Sequence, residues 1–250
     1  MIDTTSLLLI SILIFFVAAL YSSVGHGGAS GYLAVLSFFA VTPALMSSTA
    51  LVLNVLVAGI GTISFLRAGH FSFRFSWPFI LLSVPAAFLG GLVRVSDDLF
   101  FLLLAGVLLV AAYRLAGGGL AGKPEMEIRS PSRAVTLPVG AGIGLLSGVV
   151  GVGGGIFLSP MTMLFHWATA KQTAALSAFF IVVNSLAGLA GRMARGGIML
   201  EGLAPLVLAA FLGGLLGSYF GANKFSGLLL RRLLALVLLT AALKLIYTSL

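Results

Sequence analysis

The sequence predicts an all-α polytopic membrane protein built from two homologous, inverted repeats. Each repeat has four long transmembrane helices and one short, broken or re-entrant helix after a glycine-rich loop. Three observations carry this reading. The first is composition: of 250 residues, 60% are hydrophobic and 8% charged, and the mean hydropathy is +1.19. A soluble domain carries about 25% charged residues. The second is the uncharged runs. Residues 4–66 hold no Asp, Glu, Lys or Arg, and residues 134–191 hold Lys171 alone, whereas a span needs about 20 apolar residues. The third is repetition. VGHGG at Val24 returns as VGVGG at Val150, and AFLGGL at Ala87 returns at Ala210. LLAGVLLVAAYR at Leu103 resembles LLALVLLTAALK at Leu233, and Asn54 pairs with Asn184. The four pairs keep one order and nearly one offset, which chance matches between apolar stretches do not.

The elements follow in order. Segment 6–22 has no basic flank and no cleavage site, so it is read as a first span rather than a signal peptide. Gly25, Gly27 and Gly28 then break the helix, since each glycine costs roughly 1 kcal/mol relative to alanine. Segment 29–41 is too short to cross as helix alone at 1.5 Å per residue. It either crosses as a half-helix plus extended loop, or dips in and returns. Segments 44–66, 75–94 and 98–116 complete the first repeat, 1–116. Residues 117–132 form a polar linker outside the membrane, holding Lys123, Pro124, Glu125, Glu127, Arg129 and Pro131. The second repeat, 133–250, reads as 133–150, a break at 151–155, a short 156–167, then 170–191, 203–222 and 226–249.

The net charge of +8 comes from Lys and Arg in short loops, as expected where cations gather on cytoplasmic loops. If the short segments cross, the halves are inverted. One face then carries ten of the fourteen cations, and the other carries Arg94, Arg192, Arg195 and Lys244. If they re-enter, the split is nine to five. Both options put the 67–74 loop and the linker in the cytoplasm. No basic and aromatic residues interleave as nucleic-acid binding would want.

Broken backbone inside a membrane must be surrounded by protein or line a cavity. One break per half therefore points to a binding site at a repeat interface. Loop N–H groups running into a helix start form an anion site, reinforced by the helix dipole. The candidates are Gly25, Gly27 and Gly28 in the first break and Gly151, Gly153, Gly154 and Gly155 in the second. His26 lies inside the first break, where it could bond an anion or take a proton. Asn54 and Asn184 are mid-span amides that should face inward, either towards a substrate or holding helices together. Ser30, Ser48, Thr49, Thr173 and Ser177 cluster near breaks and helix starts, although such hydroxyls often bond their own helix. Gly90, Gly91, Gly213 and Gly214 are read as packing residues, and Arg192 and Arg195 as complements to the dipole of their own helix. His70 reads as solvated and His166 as an interfacial anchor. No mid-span carboxylate is present to serve a cation pathway. No Walker-type loop, no metal-ligand cluster and no cysteine are present, so no cofactor is expected.

GVGGGIFLSP at 151–160, followed by the Ala/Thr-rich helix start Ala168-Thr-Ala-Lys-Gln-Thr-Ala-Ala, resembles the sulfite exporter TauE/SafE family. A weaker form occupies residues 24–50. The resemblance implies a two-repeat helical fold in the cell inner (plasma) membrane that exports small sulfur-containing anions such as sulfite, thiosulfate or organosulfonates. It implies that the glycine loops lie near the permeation path, and maps the motif onto Gly151, Gly153, Gly154, Gly155 and Pro160, and onto Gly25, Gly27 and Gly28. The first half departs from the pattern at Ala29, where a third glycine is usual, and lacks the proline. The expected partners are a small anion and the lipid bilayer, with a homodimer left open. A passive anion channel and an intramembrane enzyme using Ser22 or Ser30 with His26 are the alternatives.

Overall fold

The structure is a computed structural model. It describes residues 4–23, 25–39, 41–116, 128, 131–196, 203–221, 239, 242–243 and 246. Among the described residues the chain forms helices and no strand: α1 (Thr4–Ser22), α2 (Ala29–Phe38), α3 (Pro43–Arg67), α4 (Phe73–Leu92), α5 (Asp97–Ala116), α6 (Arg133–Val150), α7 (Gly155–Leu164), α8 (Ala170–Ala194) and α9 (Leu203–Gly221). The linker and the tenth expected segment, 226–249, lie almost wholly outside the described residues. Five helices, α1, α3, α4, α6 and α8, are long and apolar enough to cross a membrane. Large apolar side chains such as Leu8, Phe16, Leu81, Leu89, Leu186 and Leu208 lie exposed along α1, α4, α8 and α9. That surface suits lipid rather than water.

Local chemistry sets the helix ends. Thr42 is extended (φ −63°, ψ 146°) and Pro43 opens α3, because a residue before proline is pushed out of the helical region. Thr169 and Gln172 form a reciprocal capping box at the start of α8. The short helices α2 and α7 have ten residues each, about 15 Å of rise, roughly half the apolar thickness of a bilayer. Both stop short of their expected ends at 41 and 167. In α7 the cause is His166, whose φ of 53° is left-handed. Its N–H returns to the Met163 carbonyl, and that of Trp167 to the Thr162 carbonyl. These two bonds form a Schellman closure, with a histidine where glycine is usual.

The most extensive helix contacts are α4 on α6 and α1 on α9. Each pairs the first helix of one half with the fourth of the other. On α6, Gly140, Gly144 and Gly148 fall on one face, spaced four apart. They sit directly against the carbonyls of Phe79, Ser83 and Ala87, so α4 and α6 run parallel at backbone contact. On α9, Gly213 and Gly217 meet the carbonyls of Phe15 and Ala19 in the same way. Gly90 and Gly91 likewise abut Leu145 and Gly188, in keeping with the packing role read from sequence. Between these pairs α3 and α8 cross antiparallel, Leu51 near Gly188 and Gly61 near Ala178.

At one end of the bundle three helix C-termini are tied together by arginines. Arg192 is 3% exposed and its Nη2 donates to the carbonyls of Gly148 (2.9 Å) and Val149 (2.8 Å). Arg195 Nη1 donates to the Val93 carbonyl, and Arg94 Nη2 to the Arg195 carbonyl at 3.1 Å. The sequence reading assigned Arg192 and Arg195 to the dipole of α8. They serve α6 and α4 instead, because the last carbonyls of those helices lack intrahelical partners and end beside α8. Burial, and then the neighbouring Arg94, hold the Arg195 guanidinium below its ordinary value.

The glycine contacts make a direct prediction. Gly144→Ala should overpack α6 against α4 and cost about 1–3 kcal/mol, read as a lower melting temperature of the purified protein. Gly142→Ala, on the open side of the same helix, should be neutral or raise stability by up to about 1 kcal/mol. Equal melting temperatures for the two variants would contradict the close α4–α6 contact.

Candidate functional site

The two glycine breaks meet in the interior. Gly25 and Gly28 have φ of 77° and 102°, and Gly151, Gly153 and Gly154 have 87°, 77° and 82°. These left-handed values favour glycine strongly, so both loops need it for conformation as well as space. Gly28 and Gly154 are the N-caps of α2 and α7, and neither start has a side-chain cap. The first-turn N–H groups of a helix have no intrahelical partner.

Asn54 of α3 joins the breaks. Ala29 N–H donates to its Oδ1 at 3.2 Å, and its Nδ2 donates to the Val152 carbonyl at 3.1 Å. The two partners fix the amide orientation, since a flipped amide would set donor against donor. Ser185 Oγ lies 3.5 Å from Nδ2. A Cβ on Gly27 would collide with Asn54 Oδ1, and one on Gly153 would lie 2.5 Å from Asn54 Nδ2. Gly27, Gly153 and Gly155 also back onto Ile181 of α8.

His26 connects the halves a second time. Its Nε2 is 3.0 Å from Ser159 Oγ of α7. Ser159 Oγ is also 2.7 Å from Ser177 Oγ of α8 and 2.9 Å from the Gly155 carbonyl. Ser30 bonds Tyr21 across 2.9 Å, and Tyr32 donates its hydroxyl proton to the Gly27 carbonyl at 2.7 Å. A cavity of about 10 Å³ remains, lined by Tyr21, His26, Gly27, Gly28, Ala29, Ser30, Val152, Ile156 and Ile181. That is room for about one water. Both half-helix starts contribute to its wall, and among the described residues no carboxylate, ammonium or guanidinium does.

Other candidates lie apart. Among the described residues no hydrogen bond joins Ser48, Thr49 or Asn184 to either break. Thr173 bonds Thr162 at 3.2 Å. Asn184, the repeat partner of Asn54, donates to the Phe180 carbonyl of its own helix at 2.8 Å, and its buried Oδ1 has no partner. Gly25 backs onto Phe65 and Ala174, and Gly151 onto Ser47. His70 lines a larger cavity of about 190 Å³ with Ser72, Phe75, Ser76, Ile128, Trp167 and Gln172. Lys171 is exposed. The hydroxyl on His26 is that of Ser159, not Ser22 or Ser30. Sequence reasoning passed over Ser159, Ser185, Tyr21 and Tyr32; Ser159 lies inside GVGGGIFLSP, and that was the available signal.

The two asparagines should behave differently. Asn54→Ala strands two buried backbone groups, at about 1–3 kcal/mol each. Asn184→Ala removes a bond within one helix and a group already short of a partner. Thermal unfolding should therefore show a much larger loss for Asn54→Ala; equal losses would contradict the bridging role.

Comparison with known proteins agrees with this architecture. The family model described as sulfite exporter TauE/SafE matches residues 10–245. A protein named "Probable membrane transporter protein y4hK", from Sinorhizobium fredii (strain NBRC 101917 / NGR234), is 36% identical over 241 residues, covering 95% of this chain and 97% of that protein. No solved structure matches the chain. A match over nearly the full length, on a helical bundle with five apolar spans, places the chain in the TauE/SafE family of multi-pass membrane transporters.

Proposed function

We propose that the chain carries a small sulfur-containing oxyanion across the inner (plasma) membrane, binding it where the two glycine breaks meet. One observation carries this reading: two half-helix N-termini, one from each half, line the same small cavity, which no charged side chain among the described residues shares. Apart from the Ala29 N–H that Asn54 takes, each start offers first-turn backbone donors and roughly half a positive charge. The absence of carboxylate from the cavity wall favours an anion over a cation. Sulfite is the substrate and export the direction that the family description names; thiosulfate and organosulfonates are added as anions of the same chemistry.

The proposed site residues are Gly25, His26, Gly27, Gly28, Ser30, Asn54, Gly151, Gly153, Gly154, Gly155 and Ser177. Ser48, Thr49, Thr173 and Asn184 belong to the surrounding helices in this conformation. We read the two halves as inverted repeats, 1–116 and 133–250. The reciprocal pairing of first and fourth helices and the antiparallel central pair support that reading. The cavity is too small for an oxyanion unless the walls move. That favours a carrier with alternating access over an open channel.

Reconstituted protein should take up or release labelled sulfite, thiosulfate or methanesulfonate. A bound substrate should also raise its melting temperature. Gly28→Leu or Gly154→Leu should abolish flux in correctly inserted protein: each strains a left-handed backbone, the first at the cavity wall and the second by pushing the start of α7 off Ile143 and Phe180. Wild-type flux in either variant would leave the breaks a packing role only.

A further inference from the structure

We propose that a proton travels with the anion, that His26 carries it, and that the Ser159 hydroxyl is the switch that admits it. The proposal rests on the anion reading above and adds a second cargo to the same site.

The arrangement of donors around Ser159 carries the inference. Ser159 Oγ has three neighbours within hydrogen-bond distance: His26 Nε2 at 3.0 Å, Ser177 Oγ at 2.7 Å and the Gly155 carbonyl at 2.9 Å. It owns one proton. Ser159 and Ser177 are both buried, so their hydroxyl protons need protein acceptors. Ser177 bonds Ser159, and it must be the donor there whenever the single Ser159 proton goes to His26 or to the Gly155 carbonyl. With neutral His26 protonated at Nδ1, the Ser159 proton goes to Nε2. When a proton arrives at Nε2, the imidazolium becomes the donor there. The Ser159 proton then rotates to the Gly155 carbonyl, and Ser159 Oγ accepts from both His26 and Ser177. Each of the two hydroxyl protons has an acceptor in both states, and the His26–Ser159 and Ser159–Ser177 bonds are kept in passing between them. A threonine could repeat this; an alanine could not.

The surroundings leave His26 as the group that can change charge at this place. Among the described residues, titratable groups near it are the phenols of Tyr21, which lines the cavity, and Tyr32, whose proton is held by the Gly27 carbonyl. Helices α1, α2 and α7 hold no Asp, Glu, Lys, Arg or His. On the two long helices packed behind, Arg67 ends α3, Lys171 is exposed at the start of α8, and Arg192 is bonded to Gly148 and Val149 at its far end. An anion in a low-dielectric cavity gains from a cation beside it, and an imidazolium gains from the anion. By linkage each must raise the other's affinity equally. Anion binding should therefore tighten as pH falls through the histidine range, where the imidazole becomes charged. An outside-acid gradient would drive the pair inward, and export would proceed when the anion gradient exceeds it.

The test uses proteoliposomes loaded with a pH-reporting dye and given labelled thiosulfate or methanesulfonate. Neither anion titrates near neutral pH, so any proton movement comes from the protein. The wild type is expected to move about one proton with each anion, in the same direction, and to accumulate anion when an acid-outside gradient is imposed. His26→Gln keeps a hydrogen-bonding side chain but cannot be charged; its remaining anion flux should be free of protons and indifferent to the gradient. Ser159→Ala should lose coupling, and Ser159→Thr should restore it. Anion flux without protons in the wild type, protons moving opposite to the anion, or full coupling in His26→Gln would overturn the proposal while leaving the anion site standing. Absence of any anion flux in the wild type would overturn both.

Discussion

A single amide at the centre of the bundle holds the two glycine breaks together. Asn54 takes the first N–H of α2 on its oxygen and gives its nitrogen to the Val152 carbonyl before α7. Both groups are buried, and leaving either unpaired is expensive. The glycines follow from this: Gly27 and Gly153 lie where a Cβ would strike the amide itself. So does the convergence of the two half-helices, because each hangs from one end of the same side chain. The cavity between them is a product of that bridge.

The rest of the bundle keeps the bridge in place. Glycine stripes bring α4 to α6 and α1 to α9 at backbone contact, a way of packing that needs no hydrophobic drive between helices in lipid. Arg192 ties the end of α6, immediately ahead of the second break, to the end of α8. The breaks are thus held at three places: by Asn54 in the middle, by the His26–Ser159–Ser177 chain across the halves, and by arginine at the exit of α6. The hydrogen bonds of the middle chain can be redrawn without moving any heavy atom, a property the Asn54 bridge lacks.

Much of the fold was legible in the sequence, because its signals are local. Glycine density marked both breaks, uncharged length marked the spans, and helix starts fell within a few residues of Pro43 and the Thr169–Gln172 box. The stops of the short helices were missed because His166 does glycine's work at the end of α7. What the sequence could not express is which partner a polar group finds. Asn54 and Asn184 occupy equivalent positions, yet one bridges two loops and the other bonds its own helix. Arg192 reads as a cap on α8 but reaches α6. Ser159, which the sequence reading passed over, bonds the Gly155 carbonyl of its own helix, and the same oxygen also meets His26. These contacts join residues far apart in the chain, and no periodicity or spacing encodes them.

The central claim is that the two breaks share one anion between them. Selenite has the shape and charge of sulfite and a heavy, anomalously scattering centre, so its position in a crystal can be read directly. The anomalous peak is expected between the starts of α2 and α7, with oxygens in reach of the backbone N–H groups of both breaks and of His26. A peak confined to the arginines at the ends of α4, α6 and α8, or to the cavity beside His70, with nothing between Gly27 and Gly153, would contradict it.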